Sequence, residues 1–375
     1  MRVAVVCPPS HELVSADAGF PPELDAARHG AREAEFVVGD DFDRDFKGRG
    51  PFDAAVLVPP GRADTLERVL GEARESKRAI QWIHVFFAGV ERAAPALANP
   101  DVVGDAVLTN GRGAFSASLA EWVLAVVLHF NKQVPRLQQQ KRERRWHPFF
   151  MDTVAGKTLG LVGYGSIAKA TARHARALGM RVAAYRRTSA GEGGVGWVRR
   201  GHDDDEDPEF VGEEVDLAPT PQALYREADF VVSTLPATPD TVDFFNAAAF
   251  AAMRRGAVFV NVGRGTTVDE DALADALRSG KLAGAALDVF KREPLPESSP
   301  LWDLESLLVS PHNADRTRDY ARLGWGVWLD NLAAAAEARR LGVSGRAALE
   351  GAEFARAARA GPLAKMTRFD PEAGY

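Results

Sequence analysis

The chain has 375 residues, of which 46% are hydrophobic and 26% charged, a balance typical of globular proteins with a substantial core. Its length predicts two or three domains, and its formal net charge of −6 argues against a nucleic-acid partner, which would need a basic surface. The single cysteine, Cys7, excludes an intrachain disulfide, and no Cys/His cluster has the spacing of a metal site.

The sequence contains no segment typical of a membrane protein or a secreted one. Its longest apolar, helix-like stretch, residues 119–130, is interrupted by Glu121 and His129 and is too short to span a bilayer. The first ten residues include two prolines and do not resemble a signal peptide. These features predict a soluble, cytoplasmic protein with no membrane partner.

The first part of the chain alternates short apolar runs with polar, helix-compatible segments. The runs end near Pro, Gly or Asn and predict strands at Val3–Cys7, Ala54–Val58, Ile80–Phe87 and Ala106–Thr109. Apolar residues then recur at three-and-four spacing, which predicts a long helix near 116–131 with Ser116 or Ser118 as its N-cap. Alternation of this kind predicts βα units on a parallel sheet.

A second α/β block begins at Lys157. Strands are predicted at Thr158–Val162, Val182–Tyr185, Phe230–Ser233, Val258–Val262 and Ala285–Val289, and helices at Ile167–Gly179, Thr241–Met253 and Glu270–Gly280. Strand followed by helix, several times over, is the doubly wound arrangement. The Gly-rich and then acidic segment 189–220 is predicted to be a solvated insertion, because like charges repel and extend a chain. The Ala- and Arg-rich tail, 333–364, carries no chemistry that the sequence identifies.

The most informative local motif is GxGxxA, formed by Gly163, Gly165 and Ala168 directly after an apolar strand. In such a turn Gly163 allows the tight bend and Gly165 lets the backbone approach a pyrophosphate, while Ala168 keeps the next helix close to the sheet. The helix that starts at Ser166 and Ile167 would supply amide donors and a positive dipole to the phosphates. The strand-turn-helix context favours dinucleotide binding over a structural glycine turn.

The residues after the next predicted strand bear on which cofactor is bound. An NAD-specific site would place a carboxylate there for the ribose 2′-OH, whereas this chain has Arg186, Arg187 and Thr188. Two guanidinium groups can pair with a 2′-phosphate, so the sequence favours NADP(H) over NAD(H). The alternative is a pair of arginines on an ordinary surface.

Three further motifs follow the later strands, at the edge where ligands bind in open α/β sheets. They are Asn261-Val262-Gly263-Arg264-Gly265, then Leu287-Asp288-Val289-Phe290 leading to Glu293-Pro294-Leu295, and Ser310-Pro311-His312-Asn313. With these motifs and their spacing, the sequence resembles the D-isomer-specific 2-hydroxyacid dehydrogenase family, including its glyoxylate and hydroxypyruvate reductases. The segment 235–241, the Ala88-Gly89-Val90 run and the final Gly374-Tyr375 extend the resemblance over nearly the whole chain outside the insertion and the tail.

The chemistry of these residues fits the resemblance. Reduction of a 2-keto acid needs a cation for the carboxylate and the carbonyl oxygen, and the guanidinium of Arg264 suits that role. It also needs a proton donor, and His312 can be poised near neutral pH. Glu293 would accept a hydrogen bond from the other ring nitrogen of His312 and favour its protonated form. Taken alone, each residue could be an ordinary surface or loop residue, so the prediction rests on their joint spacing.

The resemblance implies further site residues and an architecture. It assigns Leu235, Pro236, Val262 and Asp288 to the cofactor site, with Asp288 bonded to the nicotinamide carboxamide, and the backbone of Ala88 and Gly89 to the substrate carboxylate. It implies two doubly wound parallel-sheet domains separated by an active-site cleft. A Rossmann cofactor domain would span 113–312 with the insertion at 189–220, and a flavodoxin-like substrate domain would combine 1–112 with 313–375.

The predicted function is NAD(P)H-dependent reduction of a small 2-keto acid by a homodimer whose two-fold interface includes the long helix near 116–131. The alternative is a dinucleotide-sensing scaffold, like the corepressors of the same fold, which keep the same three residues. Phe86 and Phe87 could line the substrate pocket or belong to the core, and Trp146 could reach a neighbouring active site. Glyoxylate and hydroxypyruvate are the leading substrates.

Overall fold

The computed structural model describes residues 1–20, 34–91, 93–97, 99–186, 215–340 and 367. The chain divides into two compact units. Unit 1 is formed by the described residues of Met1–Phe115 and Thr317–Tyr375, and unit 2 by those of Ser116–Arg316. Each unit is built on its own parallel sheet.

The sheet of unit 1 has five parallel strands in the order β2-β1-β3-β4-β5. They are β1 (Arg2–Val6), β2 (Glu35–Gly39), β3 (Ala54–Leu57), β4 (Trp82–Val85) and β5 (Val107–Asn110). Strands β3 and β4 consist wholly of buried residues, as expected for parallel strands covered on both faces. This strand order is that of flavodoxin-like folds.

Among the described residues of unit 1, strands of this sheet are followed by the helices α1 (Ala63–Glu75), α2 (Ala94–Leu97) and α3 (Pro100–Val103). In α1, Leu66, Val69, Leu70 and Ala73 recur at the spacing of one helical face and are buried against the sheet. The Asn99 side chain caps α3 by accepting a hydrogen bond from the amide of Asp101.

The sheet of unit 2 has seven parallel strands in the order β12-β11-β10-β9-β6-β7-β8. The strands are β6 (Thr158–Val162), β7 (Arg181–Tyr185), β8 (Asp216–Leu217), β9 (Phe230–Ser233), β10 (Ala257–Asn261), β11 (Leu282–Leu287) and β12 (Leu307–Val309). The order reverses between β6 and β9, which is the switch point where doubly wound sheets bind ligands.

Helices cover both faces of this sheet. They are α4 (Ser116–Asn131), α6 (Ser166–Ala177), α7 (Pro221–Glu227), α8 (Ala247–Ala252) and α9 (Glu270–Arg278). A further helix, α5 (Val134–Arg142), follows α4 and buries none of its residues. Apolar residues of α4 and α6 share one buried cluster with the sheet, and those of α7, α8 and α9 share the other. Thr220 caps α7 and Asp269 caps α9, each by accepting a hydrogen bond from a backbone amide of the first helical turn.

Unit 1 is completed by α10 (Tyr320–Arg340), far along the chain from the strands it covers. Trp325 and Trp328 of α10 are buried in one cluster with Trp82, Phe86 and other residues of the sheet. The indole of Trp325 donates to the backbone carbonyl of Leu13 at 2.8 Å, and the rings of Trp82 and Trp328 stack with centroids 5.4 Å apart.

The predicted fold class, two α/β units with parallel sheets, is confirmed. The predicted helix Thr241–Met253 is wrong in its first half, since the observed helix begins at Ala247. Thr238 and Thr241 close a capping box around a single 3₁₀ turn, and Asp243 takes a left-handed backbone with φ of 48°. Asn246 then caps the helix through two backbone amides, which sets its actual start.

The predicted loop 189–220 is also wrong at its C-terminal end. Asp216 and Leu217 form β8, which pairs with β7 and extends the sheet by one short edge strand. Residues 187–214 lie outside the described part of the chain, so the rest of that prediction stays open. Strands β2 and β12 were not predicted. No helix among the described residues is long and apolar enough to cross a membrane.

Candidate active site

The glycine turn after β6 has the geometry that a dinucleotide pyrophosphate requires. Gly163 has a φ of 89°, and a Cβ there would lie 2.8 Å from Thr234 Oγ1. At Gly165 a Cβ would meet no atom within 4 Å, so open space lies beside its backbone. The amides of Gly165, Ser166 and Ile167 donate no hydrogen bond within the described chain, as expected at the start of α6. These residues therefore fit the phosphates of a dinucleotide.

The other predicted cofactor residues lie at the C-terminal ends of neighbouring strands. Arg186 is half-buried directly after β7, while Arg187 and Thr188 lie outside the described residues. Leu235 and Pro236 are half-buried after β9, and Val262 is buried after β10. The structure thus gathers the described members of the set around the switch point between β6 and β9.

Arg264 is held by a tight loop that follows β10. The buried Asn261 side chain accepts a hydrogen bond from the Gly263 amide at 3.0 Å and donates to the Arg264 carbonyl oxygen at 3.0 Å. The Thr267 hydroxyl donates to the same carbonyl at 2.7 Å. A Cβ at Gly265 would lie 1.9 Å from the backbone carbon of Phe290, so only glycine lets this loop lie against the next one. Arg264 itself stays partly exposed.

A buried carboxylate organises the turn that carries His312. Asp288 is 1% exposed, and its Oδ1 accepts from the Ser310 hydroxyl at 2.5 Å and from the amides of Asn313 and Ala314 at 2.8 and 3.1 Å. The His312 amide donates to the Asp288 carbonyl oxygen at 2.8 Å. His312 is consequently fixed with a φ of 53°, a left-handed conformation that costs a non-glycine residue roughly 1–2 kcal/mol.

The imidazole of His312 is paired with Glu293. His312 Nδ1 lies 2.8 Å from Glu293 Oε2, while the other oxygen, Oε1, accepts from the Phe290 amide at 3.0 Å. Because Glu293 is fixed by the backbone of its own loop, it holds the ring in one orientation. Both side chains remain partly exposed. The Nε2 edge of the ring makes no hydrogen bond within the described chain.

The charges around this pair set its protonation. The hydrogen bond to Glu293 raises the pKa of His312, against the opposing effects of partial burial and of the Arg264 charge. Burial alone would raise the pKa of Glu293. The net shift is nevertheless downward, because His312 and the Phe290 amide donate hydrogen bonds to the carboxylate and because His312 and Arg264 carry positive charge. Arg264 is thus close enough to act electrostatically on both partners. The pair favours an imidazolium next to a carboxylate.

Three contributing residues lay outside the predicted site. Asn261 supports the Arg264 loop, and Ser310 donates a hydrogen bond to Asp288. The Ser118 hydroxyl donates to the Ala314 carbonyl oxygen at 2.6 Å. Ser118 was predicted as a possible N-cap of α4, but its hydroxyl instead holds the turn that follows His312. A contact between residues 196 positions apart leaves no signal in local sequence.

Ala88 and Gly89, predicted to receive a carboxylate, belong to unit 1, where they follow β4. Ala88 is exposed, and the amides of both residues donate no hydrogen bond within the described chain.

Phe86 is buried and Phe87 is partly buried. Because Phe86 packs on Trp325, the structure favours a role in the core for Phe86 over a role in the substrate pocket. No group of three or more potential metal ligands occurs among the described residues.

The chain belongs to the D-isomer specific 2-hydroxyacid dehydrogenase family. Residues 124–314 match the model of the family's NAD-binding domain. A glyoxylate/hydroxypyruvate reductase B of Salmonella schwarzengrund is 32% identical over 277 residues, which cover 72% of this chain and 79% of that protein. A glyoxylate reductase of Korarchaeum cryptofilum is 34% identical over 218 residues, or 56% of this chain and 60% of the relative, so that match spans less than two thirds of its length.

Solved structures of the family have the same fold. An NADPH-dependent glyoxylate/hydroxypyruvate reductase from Sinorhizobium meliloti, in complex with NADP and sulfate, is 25% identical with a TM-score of 0.69 and covers 100% of this chain and 99% of that one. A D-isomer specific 2-hydroxyacid dehydrogenase from Xanthobacter autotrophicus, 24% identical with the same coverage, superimposes with a TM-score of 0.71. The predicted family and its class of oxidoreductase are confirmed, and the scaffold alternative is not favoured.

Proposed function

We propose that this protein reduces a small 2-keto acid of the glyoxylate and hydroxypyruvate type to the D-2-hydroxy acid, with NADPH as the preferred cofactor. The observation that carries the proposal is the His312–Glu293 pair at 2.8 Å, placed within electrostatic reach of Arg264. This arrangement provides a charged proton donor within electrostatic reach of a guanidinium, and reduction of a keto acid demands both groups.

The proposed reaction assigns one role to each charged residue. Arg264 binds the carboxylate and polarises the adjacent carbonyl, so that negative charge on the carbonyl oxygen is stabilised as it develops. The protonated His312 gives the Nε2 proton to that oxygen and becomes neutral, while Glu293 keeps the ring oriented. The reduced nicotinamide, when bound, supplies the hydride that reaches the keto carbon. The keto acid gains one hydride and one proton, and the alcohol is formed.

For the amides of Ala88 and Gly89, in unit 1, we propose the role that the family resemblance implies, binding of the substrate carboxylate. Two adjacent N–H groups that have no acceptor among the described residues can bind an anion together, which suits the substrate carboxylate. Such a site recognises the acid function and leaves the substrate side chain to other residues. We therefore expect the carboxylate to be required for binding, and a simple aldehyde or ketone to be a poor substrate.

The preference for NADPH rests on Arg186. This residue lies at the end of β7, where the adenosine ribose of a dinucleotide binds in doubly wound sheets. Its guanidinium can pair with a 2′-phosphate, and no carboxylate follows β7 at once to repel that phosphate. The Sinorhizobium relative is described in complex with NADP, which agrees with this proposal.

We further propose a homodimer and a cytoplasmic location. Helix α5 buries none of its residues within one chain, and the loop after it exposes Trp146 by 96% and Phe150 by 99%. Exposed aromatic side chains of this size are typical of surfaces that another protein covers. The cytoplasmic location is supported by the single, buried Cys7, which has no disulfide partner.

The test is a steady-state assay of NADPH and NADH oxidation with glyoxylate, hydroxypyruvate and phenylpyruvate. The informative variant is His312→Asn, because asparagine tolerates the left-handed backbone at this position better than alanine does. We expect turnover by the wild type and a loss of about a hundredfold or more in kcat for His312→Asn. His174→Ala, on α6, is the matched control and should keep full activity.

The ratio of kcat/KM for NADPH over NADH tests the cofactor preference, and Arg186→Ala should lower that ratio by about tenfold. Cofactor binding without reduction of any of the three keto acids would contradict the proposed function. That result, joined to a cofactor-dependent change in assembly, would favour the dinucleotide-sensing scaffold.

A further inference from the structure

The two amides proposed to bind the substrate carboxylate are oriented by the end of β5. The Gly111 amide donates to the Phe87 carbonyl oxygen at 3.1 Å, and Asn110 Nδ2 donates to the Ala88 carbonyl oxygen at 3.0 Å. In a trans peptide the C=O and the next N–H point in opposite directions within one plane. A bond to the Phe87 carbonyl therefore directs the Ala88 N–H, and a bond to the Ala88 carbonyl directs the Gly89 N–H.

Glycine at position 111 is required for this arrangement. A Cβ there would lie 2.0 Å from the Phe86 carbonyl oxygen, so a larger residue would push β5 away from the loop after β4. Asn110 is 3% exposed, and its own backbone is therefore out of reach of water. The precision of the two amides consequently depends on what holds Asn110 in place.

Thr367 holds Asn110 from the C-terminal part of the chain. The Asn110 amide donates to the Thr367 carbonyl oxygen at 3.0 Å, and the Thr367 hydroxyl donates back to the Asn110 carbonyl oxygen. On its other side, Thr367 meets Asn331 of α10, whose Oδ1 accepts from the Thr367 amide at 2.9 Å and whose Nδ2 donates to the Thr367 hydroxyl at 2.8 Å. Asn331 is 0% exposed and also donates to the Val327 carbonyl oxygen. The threonine thus ties β5 to α10 through both its backbone and its side chain.

We propose that Thr367 is a positioning residue for substrate binding, which acts through Asn110 on the anion-binding amides of Ala88 and Gly89. The inference rests on the proposed function, since it takes the bound anion to be the carboxylate of a 2-keto acid. Thr367 touches neither substrate nor cofactor. Its hydroxyl fixes the carbonyl group of Asn110 and, with it, the position of the Asn110 side-chain amide. That side-chain amide in turn orients the N–H of Gly89. Loss of the hydroxyl should weaken binding of the acid and leave the proton-donating pair of unit 2 unchanged.

The test compares Thr367→Val, which removes the hydroxyl with little change of shape, with Thr367→Ser, which keeps it. At saturating NADPH we expect the valine variant to raise KM for glyoxylate about tenfold, because two neutral hydrogen bonds are lost. We expect kcat to change by less than about twofold, with the same dissociation constant for NADPH and the same pH profile. The serine variant should restore KM to within about twofold of the wild type. The exposed Thr153→Val serves as the matched control.

Binding of oxamate, a non-reducible analogue of a 2-keto acid, separates this inference from the proposed function. If the wild type binds oxamate but reduces no keto acid, the proposed reaction fails, and weaker oxamate binding by Thr367→Val still supports the positioning role. Equal KM and equal oxamate affinity in the two proteins would overturn the inference. A fall in kcat without a change in KM would also overturn the inference, because it indicates a smaller folded fraction. A wild type that binds no oxamate would overturn it as well. Should the valine variant not fold, Thr367→Ala removes the same hydroxyl and carries the same expectations.

Discussion

The three charged residues of the site differ in how firmly the backbone holds them. His312 is locked into a left-handed conformation by a carboxylate that accepts three hydrogen bonds on one oxygen, and Glu293 is tied to the Phe290 amide. Arg264 is fixed at its backbone, and its Nη1 donates to the Gly263 carbonyl oxygen at 2.8 Å. A rigid acid and its rigid partner suit a proton transfer that requires a short, aligned path.

The pairing of Glu293 with His312 predicts a shift in the pH dependence of reduction. Because Glu293 raises the pKa of His312, the wild type keeps the imidazolium to a higher pH, and reduction declines as pH rises through that pKa. Glu293→Gln removes the negative charge, so the pKa of His312 should fall and the alkaline limb of kcat/KM should move to lower pH by roughly one unit. The measurement is the pH profile of kcat/KM for glyoxylate, with the exposed Glu297→Gln as control. An alkaline limb that stays in place in Glu293→Gln would refute the assignment of this limb to His312.

At the scale of elements, each loop that carries Arg264, Glu293 or His312 follows a strand of the unit 2 sheet, and neighbouring loops touch through glycine. Gly263 lies against the backbone of Leu235, and Gly265 lies against the backbone of Phe290. At both glycines a Cβ would collide with the neighbouring backbone. The loops after β9, β10 and β11 therefore form one layer. Gly165 differs, because its side faces open space.

This difference predicts that alanine at position 165 will weaken cofactor binding without lowering the stability of the protein. Gly165 has a φ of −97°, which alanine adopts freely, so Gly165→Ala should leave the thermal midpoint within about 2 °C of the wild type. The added methyl group lies where a pyrophosphate would approach, and the dissociation constant of NADPH should rise about tenfold or more. Gly71→Ala, in α1, is the control: a Cβ there would meet no atom within 4 Å, so the variant should lower neither the thermal midpoint nor the affinity for NADPH. Unchanged NADPH affinity in Gly165→Ala would contradict the assignment of the pyrophosphate site.

The sequence predicts elements best where a buried strand runs directly into a turn. The ends of β6 and β9 were predicted to the residue, because an apolar run meets Gly163 in one case and Thr234-Leu235-Pro236 in the other. The helix near Ala247 was overextended, because the left-handed Asp243 interrupts a segment whose composition suits a helix. The motifs predicted Arg264, Glu293 and His312 from their joint spacing and the family resemblance, and the structure brings His312 Nδ1 within 2.8 Å of Glu293 Oε2. The roles of Ser118, Asn110 and Thr367 depend on contacts across 196 to 257 residues, which no local pattern encodes.

At the scale of the whole molecule, the segment after α5 predicts how copies of the chain associate. Arg136 of α5 lies over the ring of Phe149 at 4.0 Å, so Phe149 packs on α5 within one chain. Sedimentation equilibrium should give twice the chain mass for the wild type, and Trp146→Ser combined with Phe150→Ser should shift the protein toward monomer. Val242→Ser, which replaces an exposed apolar residue elsewhere, is the control. A wild type that sediments as a monomer, or a double variant that remains a dimer, would show that these aromatic residues do not form the interface.

The burial of Trp325 and Trp328 against the first strands of the chain has a consequence for synthesis on the ribosome. Unit 1 receives its strands first, yet the helix that covers one face of its sheet is translated about two hundred residues after β5, at speeds of roughly 5–20 residues per second. For that interval the nascent chain leaves Trp82 of β4, and Phe86 directly after it, without the helix that covers them. Unit 2 is contiguous and can close before α10 emerges. We therefore expect the newborn protein to bind chaperones that recognise apolar strands, and a slower ribosome to prolong its exposure to aggregation.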